Sequence, residues 1–158
     1  MDKTNVMRLL WQKKIAFKPY SYDPSVTEGT SVAALLGEDA AHVFKTLVTE
    51  GPNRDHYVFV IPVAENLDLK KAAKAVGVKS IAMIKQKELL PLTGYIHGGC
   101  SPVGMKKQFH TVIHSTAQEL ESFFVSAGKV GYQIEISPIT LAELIGAEFA
   151  DIIYDGRQ

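Results

Sequence analysis

Two neighbouring segments in the first half of the chain show the clearest strand patterns. Residues 44–50 alternate between two faces, as in a strand whose two sides meet different surroundings. Residues 57–63 are nearly all apolar and either β-branched or aromatic, which indicates a buried central strand. Because the turn-forming residues 51–55 connect the two segments, we predict that they form a β-hairpin.

Helical periodicity and further short apolar runs fill most of the remaining chain. Helices are expected at residues 4–14, 31–36, 69–76 and 140–145, helical turns at 38–42 and 85–90, and strands at 17–22, 80–84, 109–114, 123–126 and 132–136. Ser31 and Asp68 are suited to cap two of the helices, and Pro91 is expected to stop the turn before it. Because short strands and helices interleave without a repeat or a linker, we predict one α/β domain spanning residues 1–158.

The composition of the chain indicates the cellular compartment in which the protein works. The chain has 158 residues, of which 46 % are hydrophobic and 22 % charged, enough for a hydrophobic core without disulfides. Cys100 is the single cysteine, so an internal disulfide is impossible and a reducing compartment is favoured. The N-terminus lacks the pattern of a secretory signal, and the apolar runs are too short to span a bilayer. We therefore expect a cytoplasmic protein without a membrane partner.

The charge is unevenly distributed although the formal net charge is zero. Residues 70–107 contain eight lysines and a single acidic residue, Glu88. A basic segment of this kind favours a polyanionic partner such as a nucleic acid. The alternative is a set of solvated lysines on several surfaces.

The sequence Gly98-Gly-Cys-Ser-Pro-Val-Gly-Met-Lys-Lys107 indicates a shaped loop. Its three glycines and its proline disfavour a helix or a central strand. Such a loop brings backbone N–H groups close to an oxygen-rich ligand, although a tight connection without a ligand would have the same composition. The spacing matches neither a Walker loop nor a dinucleotide-binding fingerprint.

Lys45 is the residue whose position most needs an explanation, because it lies in the apolar segment Val43–Val48. A lysine there is costly unless its ammonium reaches a cleft or a partner. Its ammonium would then bind a phosphate, a carboxylate or a developing oxyanion, whereas at a sheet edge it would only extend into solvent.

The other reactive side chains form no recognisable catalytic or metal-binding pattern. The five histidines lack metal-site spacing, Ser101 has no evident base and Cys100 has no nucleophile signature. We therefore predict no metal, no cofactor and a site that acts by positioning a reactive substrate.

Five motifs together resemble the YbaK-type aminoacyl-tRNA deacylases, which are related to the editing insertion of bacterial prolyl-tRNA synthetases. The motifs run nearly from end to end: Phe44-Lys-Thr-Leu-Val48, Leu67-Asp-Leu-Lys-Lys-Ala-Ala-Lys-Ala-Val-Gly77, Thr93-Gly-Tyr-Ile-His-Gly-Gly-Cys-Ser-Pro-Val-Gly-Met-Lys-Lys107, Val125-Ser-Ala-Gly-Lys129 and Phe149-Ala-Asp-Ile152. The resemblance implies an α/β fold with a curved, barrel-like mixed sheet surrounded by short helices.

The same resemblance implies the residues of the site. Lys45 matches the essential lysine of the family and is the predicted catalytic residue. The predicted substrate-binding residues are Tyr20, Thr46, Gly98, Gly99, Ser101, Pro102, Ser126 and Gln133. The predicted tRNA-binding residues, from the basic segment, are Lys70, Lys71, Lys74, Lys106 and Lys107. Gln133 stands where some members carry Asp, and His97 and Cys100 stand where small or branched apolar residues are expected.

The resemblance also implies a mechanism, in which the thiol of a mischarged cysteinyl group attacks its own ester and leaves as a cyclic thiolactone. The predicted function is deacylation of mischarged tRNA, with Cys-tRNA(Pro) as the main candidate substrate. Aminoacyl-tRNA is the expected partner, and a prolyl-tRNA synthetase partner is left open. Two alternatives remain at this stage: an Ala-tRNA(Pro) deacylase that uses a bound water, and a non-catalytic module that binds tRNA or a nucleotide.

Overall fold

The structure is a computed structural model, and it describes residues 2–156. In this part of the chain the strands are β1 (Lys18–Ser21), β2 (Phe44–Glu50), β3 (His56–Pro62), β4 (Ala82–Met83), β5 (His110–His114), β6 (Phe123–Ser126), β7 (Tyr132–Ile136) and β8 (Glu148–Ala150). The α-helices are α1 (Asn5–Gln12), α2 (Gly29–Leu36), α3 (Leu69–Val76), α4 (Gln86–Thr93) and α5 (Pro138–Ile145), and two short 3₁₀ turns cover Ala40–His42 and Ser115–Glu119.

The larger sheet is mixed and has the strand order β4-β2-β3-β5-β8. The predicted hairpin is confirmed, because β2 and β3 pair antiparallel with Lys45 opposite Ile61 and Thr46 opposite Val60. β5 runs parallel to both β3 and β8. Strand β8 was not predicted, and β4 keeps only two residues of the strand expected at 80–84.

Both faces of the larger sheet are packed. Phe59 and Ile61 lie in a buried cluster with Ala72 and Ala73 of α3. On the other face, Val60 belongs to the main core, to which α1, α5 and the smaller sheet contribute. Neighbouring residues of a strand point to opposite faces, so the hairpin is buried on both sides, as its apolar sequence indicates.

The smaller sheet is antiparallel, with the order β1-β7-β6. It meets the larger sheet at a parallel bridge between Val43 and Phe124. Ser126 and Tyr20 both stand opposite Gln133 in the register, so the three side chains share one face of this sheet. The α/β class is confirmed, and its strands are divided between two sheets that are joined at this bridge.

Several helix boundaries differ from the sequence-based prediction, and those of α2 and α4 have clear physical reasons. The N-cap of α2 is Glu28, not Ser31, because the Glu28 carboxylate accepts hydrogen bonds from the N–H groups of Thr30 and Ser31. Helix α4 continues through Pro91, because an exposed proline near the last turn removes a single donor while the carbonyl of Leu90 still accepts from Gly94. No helix within residues 2–156 has the length and apolar character needed to cross a membrane.

Candidate active site

A cleft of about 360 Å³ opens where the two sheets meet. Strand β4 pairs with β2 at Thr49 and Glu50, and within residues 2–156 no strand pairs with the first half of β2 on that side, which lies along the cleft. Five of the predicted residues line this cleft: Lys45, Thr46, Gly98, Ser126 and Gln133. Lys45 and Thr46 point to opposite faces of β2, and both reach the cleft because it follows the edge of the strand. A second cavity of about 460 Å³ is lined by none of the predicted residues.

The ammonium of Lys45 is available to a ligand. The side chain is half-buried, and among residues 2–156 it has no hydrogen-bond or salt-bridge partner. Burial lowers the pKa of this lysine, while the negative charges of Glu28 and Glu65 act in the opposite direction. A partly desolvated ammonium attracts an anion more strongly than one in bulk water, so Lys45 is suited to bind a phosphate or a developing oxyanion.

Two buried oxygens of the cleft lack partners in the described part of the chain: Thr46 Oγ1 and Gln133 Oε1. The Gln133 side chain is almost fully enclosed, with 6 % of its surface exposed. A buried polar atom without a hydrogen bond costs about 1–3 kcal/mol, which a bound ligand can recover. Next to Gln133, Ser126 Oγ accepts from the N–H of Gly128 at 3.1 Å and keeps its own hydrogen available. The floor of the cleft is therefore polar and suited to a ligand with donors.

The glycine loop passes close to its neighbours. Gly98 has φ +86°, a left-handed conformation that glycine adopts most easily. A Cβ atom on Gly99 would lie 2.9 Å from the backbone nitrogen of Val130, so this loop and the loop after β6 fit together only with glycine there. The buried Gly99, Ser101 and Pro102 are not among the cleft-lining residues, and Ser101 Oγ accepts from the N–H of Val103. These three residues shape the loop, and Gly98 and Cys100 line the cleft.

Tyr20 does not line the cleft. Its ring packs on Phe124 with centroids 5.2 Å apart, and its hydroxyl donates to Glu135 Oε1 at 2.8 Å. Tyr22, two residues further on, contributes to the cleft wall instead. Both tyrosines lie in the same short segment, so the sequence could not decide which of them lines the cleft. The packing of Tyr20 against Phe124 leaves Tyr22 at the cleft wall.

Three further lining residues received no role from the sequence: Glu28, His97 and Cys100. The carboxylate of Glu28 is fully engaged by Thr30 and Ser31, and hydrogen bonds from these two residues lower its pKa to about 2. Burial raises the pKa of the Cys100 thiol to about 12, so the thiol stays protonated at neutral pH. His97 is exposed at the cleft. Glutamate is not among the residues that usually cap helices, so the sequence carried no signal for the position of Glu28.

The predicted tRNA-binding lysines differ in their surroundings. Lys70, Lys74 and Lys107 are exposed, whereas Lys71 is held by Asp151 at 3.0 Å and by the carbonyl oxygen of Ile153 at 3.0 Å. Lys106 donates to the carbonyl oxygen of Pro91 at 3.4 Å. Within residues 2–156 no group of three histidine, cysteine, aspartate or glutamate side chains could hold a metal ion.

The fold and the cleft together define a class of protein. The cleft of this mixed α/β domain offers the ammonium of Lys45, two buried oxygens without partners and a glycine loop. Its thiol, Cys100, is protonated, and the carboxylate of Glu28 is bound to the start of α2. Residues 23–144 match the family model of the aminoacyl-tRNA editing domain. The chain belongs to this family, as the five sequence motifs predicted.

The relatives agree with this assignment. The chain is 47 % identical over 153 residues to the "Putative Cys-tRNA(Pro)/Cys-tRNA(Cys) deacylase EbsC" of Enterococcus faecalis (strain ATCC 700802 / V583), covering 96 % of this chain and 93 % of that protein. The crystal structure of the hypothetical protein APE2540 has a TM-score of 0.88 at 24 % identity, covering 96 % of this chain and all of that one. The crystal structure of "a putative trans-editing enzyme for prolyl tRNA synthetase" has a TM-score of 0.84 at 22 % identity, covering 98 % and 99 % of the two chains. These two structures share the fold of this chain.

Proposed function

We propose that this protein removes the amino acid from mischarged tRNA and that Cys-tRNA(Pro) is its main substrate. The observation that carries the proposal is the lack of an activated nucleophile among the described cleft residues: burial raises the pKa of the Cys100 thiol to about 12, and the Glu28 carboxylate is committed to helix α2. A substrate that carries its own nucleophile can react in such a cleft, and a cysteinyl ester does so. The deacylase name of the 47 % identical relative supports the same substrate.

The cleft residues have two roles, which are to stabilise developing charge and to position the substrate. Lys45 stabilises the negative charge that develops on the ester carbonyl oxygen as the substrate thiol attacks. Thr46, Ser126 and Gln133 bind the aminoacyl group from the floor, and the loop from Gly98 to Pro102 holds the 3′ end of the tRNA. Holding the thiol near its own carbonyl turns ester cleavage into an intramolecular reaction, in which positioning supplies several kcal/mol of the barrier reduction.

The tRNA body binds through exposed lysines outside the cleft. Lys70, Lys74, Lys106 and Lys107 contact phosphates, and Lys71 contributes through its positive charge while it remains bound to Asp151. Such contacts depend on salt and carry little sequence information. Because the proposed substrate is an intermediate of protein synthesis, the protein acts in the cytoplasm, and a prolyl-tRNA synthetase is a candidate source of the mischarged tRNA.

The experiment compares release of labelled amino acid from matched Cys-, Ser- and Ala-tRNA(Pro). We expect rapid release of cysteine and much slower release of serine and alanine, because a hydroxyl is a poorer nucleophile than a thiol and alanine offers none. Alkylation of the cysteinyl thiol on the tRNA should abolish release. Equal rates for cysteine and alanine would show that water is the nucleophile, and binding without release from any of the three would show a non-catalytic module.

A further inference from the structure

Two histidines of the described chain, His42 and His97, have no side-chain partner; His42 lines the second cavity, and His97 lines the cleft that holds Lys45. His97 lies directly before Gly98, is exposed, borders the cleft and makes no hydrogen bond, ion pair or ring contact with any residue between 2 and 156. In contrast, His56 and His110 face Glu50 and Glu148 at 4.0 and 2.6 Å, and His114 accepts from the N–H of Ile152 at 3.3 Å. A histidine directed to a cleft without a protein partner is available to a substrate.

The other titratable groups of the cleft are poorly suited to exchange a proton at neutral pH. These groups are Tyr22, Glu28, Lys45 and Cys100. The hydrogen bonds to Glu28 hold its pKa at about 2, and burial raises the pKa of Cys100 to about 12. Lys45 is needed as a positive charge, and a phenol is in general a poorer proton carrier than an imidazole. An imidazole is the side chain that exchanges protons most readily near neutral pH.

The proposed reaction needs a proton to be moved. A thiol loses its proton when its sulfur bonds to the ester carbonyl carbon, and the ribose oxygen must gain one when its bond to that carbon breaks. Without a carrier, the reaction depends on the small fraction of thiol that is already ionised, and the departing oxygen leaves as an unfavourable alkoxide.

We propose that His97 carries this proton, an inference that rests on the proposed function. The neutral imidazole accepts the proton of the substrate thiol as the carbon–sulfur bond forms. The imidazolium then gives the same proton to the ribose oxygen as the carbon–oxygen bond breaks. The products are a cyclic thiolactone and a tRNA with a free terminal hydroxyl, and His97 returns to its neutral form. Lys45 holds the carbonyl oxygen throughout, so the two residues divide charge stabilisation and proton transfer between them.

The test measures single-turnover cleavage of Cys-tRNA(Pro) by the wild type and by His97→Ala and His97→Gln between about pH 5.5 and 9. We expect both variants to fold and to bind tRNA with unchanged Kd, because the His97 side chain has no partner in the described protein. Their rates at pH 7 should fall by about 100- to 10,000-fold, the usual contribution of a proton-transfer group. The wild-type rate should decline towards acidic pH, as expected when an imidazole acts as the base, whereas the variant rates should follow the ionisation of the substrate thiol alone. Added imidazole should partly restore the His97→Ala rate.

The matched control is His110→Ala, which changes an exposed histidine that does not line the cleft and should keep the wild-type rate and pH profile. His97 variants within about twofold of the wild-type rate, or slowed variants that keep the wild-type pH profile, would overturn the inference. These results would leave the proposed function intact, because the wild type would still release cysteine. If the wild type releases no cysteine, both the proposed function and the role of His97 are wrong.

Discussion

The ammonium of Lys71 lies 3.0 Å from Asp151 Oδ2, and this ion pair connects α3 to the segment after β8. Asp155 approaches the same ammonium at 3.7 Å. Lys71 thus holds two parts of the chain together, whereas Lys70 and Lys74 on the same helix are exposed. Charge reversal at the three positions is therefore expected to have two different effects.

Lys70→Glu combined with Lys74→Glu should weaken tRNA binding without changing thermal stability. Each lost phosphate contact should lower the slope of log K against log salt by about one, and all tRNAs should be affected about equally. Fluorescence titrations at several salt concentrations measure this slope. Lys71→Glu should instead lower the midpoint of thermal unfolding, since it places a third carboxylate beside Asp151 and Asp155. An unchanged salt slope in the Lys70→Glu/Lys74→Glu variant would exclude these two lysines from the tRNA-binding surface.

Lys45→Ala should remove deacylation and leave the fold intact. Loss of a group that stabilises a developing oxyanion costs about 2.7–4 kcal/mol in the barrier, or roughly 100- to 1,000-fold in rate. The measurement is single-turnover release of cysteine, with circular dichroism as the check of folding. Lys18→Ala, at an exposed position in β1, is the matched control. Activity within about twofold of the wild type in a folded Lys45→Ala protein would refute the role of this lysine.

Cys100→Ser should keep most of the activity, because the reactive sulfur belongs to the substrate. Burial raises the pKa of the Cys100 thiol to about 12, so very little of the reactive thiolate is present at pH 8. Mass spectrometry after treatment with iodoacetamide should accordingly show slow alkylation of the folded protein and fast alkylation in denaturant. A folded Cys100→Ser protein without activity would identify Cys100 as a nucleophile.

Gly99→Ala should destabilise the glycine loop for a steric reason. The new Cβ would lie 2.9 Å from the nitrogen of Val130 and 3.2 Å from the carbonyl carbon of Lys129, both backbone atoms that cannot rotate away. Overpacking of this kind typically costs about 1–3 kcal/mol of unfolding free energy. Gly37→Ala is the comparison, because a Cβ there meets nothing within 4 Å and only the φ of +70° is unfavourable. Chemical denaturation of both variants separates the steric cost from the conformational one.

His114 should make stability depend on pH below about 6.5. Burial lowers the pKa of His114 from 6.5, and Nδ1 accepts a hydrogen bond from the N–H of Ile152, which requires the neutral ring. At low pH the unfolded chain therefore binds a proton that the folded chain does not, so the free energy of unfolding falls as the pH drops through 6.5. Glu28 adds a separate loss below pH 4.5, since its folded pKa is lowered to about 2. Urea titrations at pH 5, 6 and 7 should show the first slope in the wild type and a smaller slope in His114→Gln.

The sequence predicted the elements that local chemistry determines. The hairpin of β2 and β3 follows from the alternation and apolar content of its two strands. Asp68 caps α3 as expected, because its carboxylate accepts hydrogen bonds from the backbone N–H groups of Lys70 and Lys71. Strand β8 was missed because three residues carry too little pattern. Its place in the sheet depends on pairing with β5, which lies more than thirty residues earlier in the chain.

Residues of the candidate site could be predicted where they lie in a recognisable sequence motif. They could not be predicted where their position depends on tertiary packing. Lys45, Thr46, Gly98 and Ser126, which lie within the motifs, line the cleft, and so does Gln133, which lies outside them. Tyr22 lines it in place of Tyr20 because the ring of Tyr20 packs on Phe124, a contact between strands that are distant in sequence. His97 was noted as an unsuitable metal ligand and as a departure from the apolar residue expected in the motif, and its lack of a partner beside the cleft becomes visible only in three dimensions.

The strand order of the smaller sheet has a consequence for folding during synthesis on the ribosome. β1 lies near the start of the chain, and among the strands of residues 2–156 it pairs with β7 alone, which comes more than one hundred residues later. Until β7 has left the exit tunnel, β1 has no strand beside it and the cleft has no Gln133 in its floor. Contacts that span so much of the chain also form slowly. A protein proposed to guard translation accuracy can therefore begin to edit only after almost its entire own length has been translated.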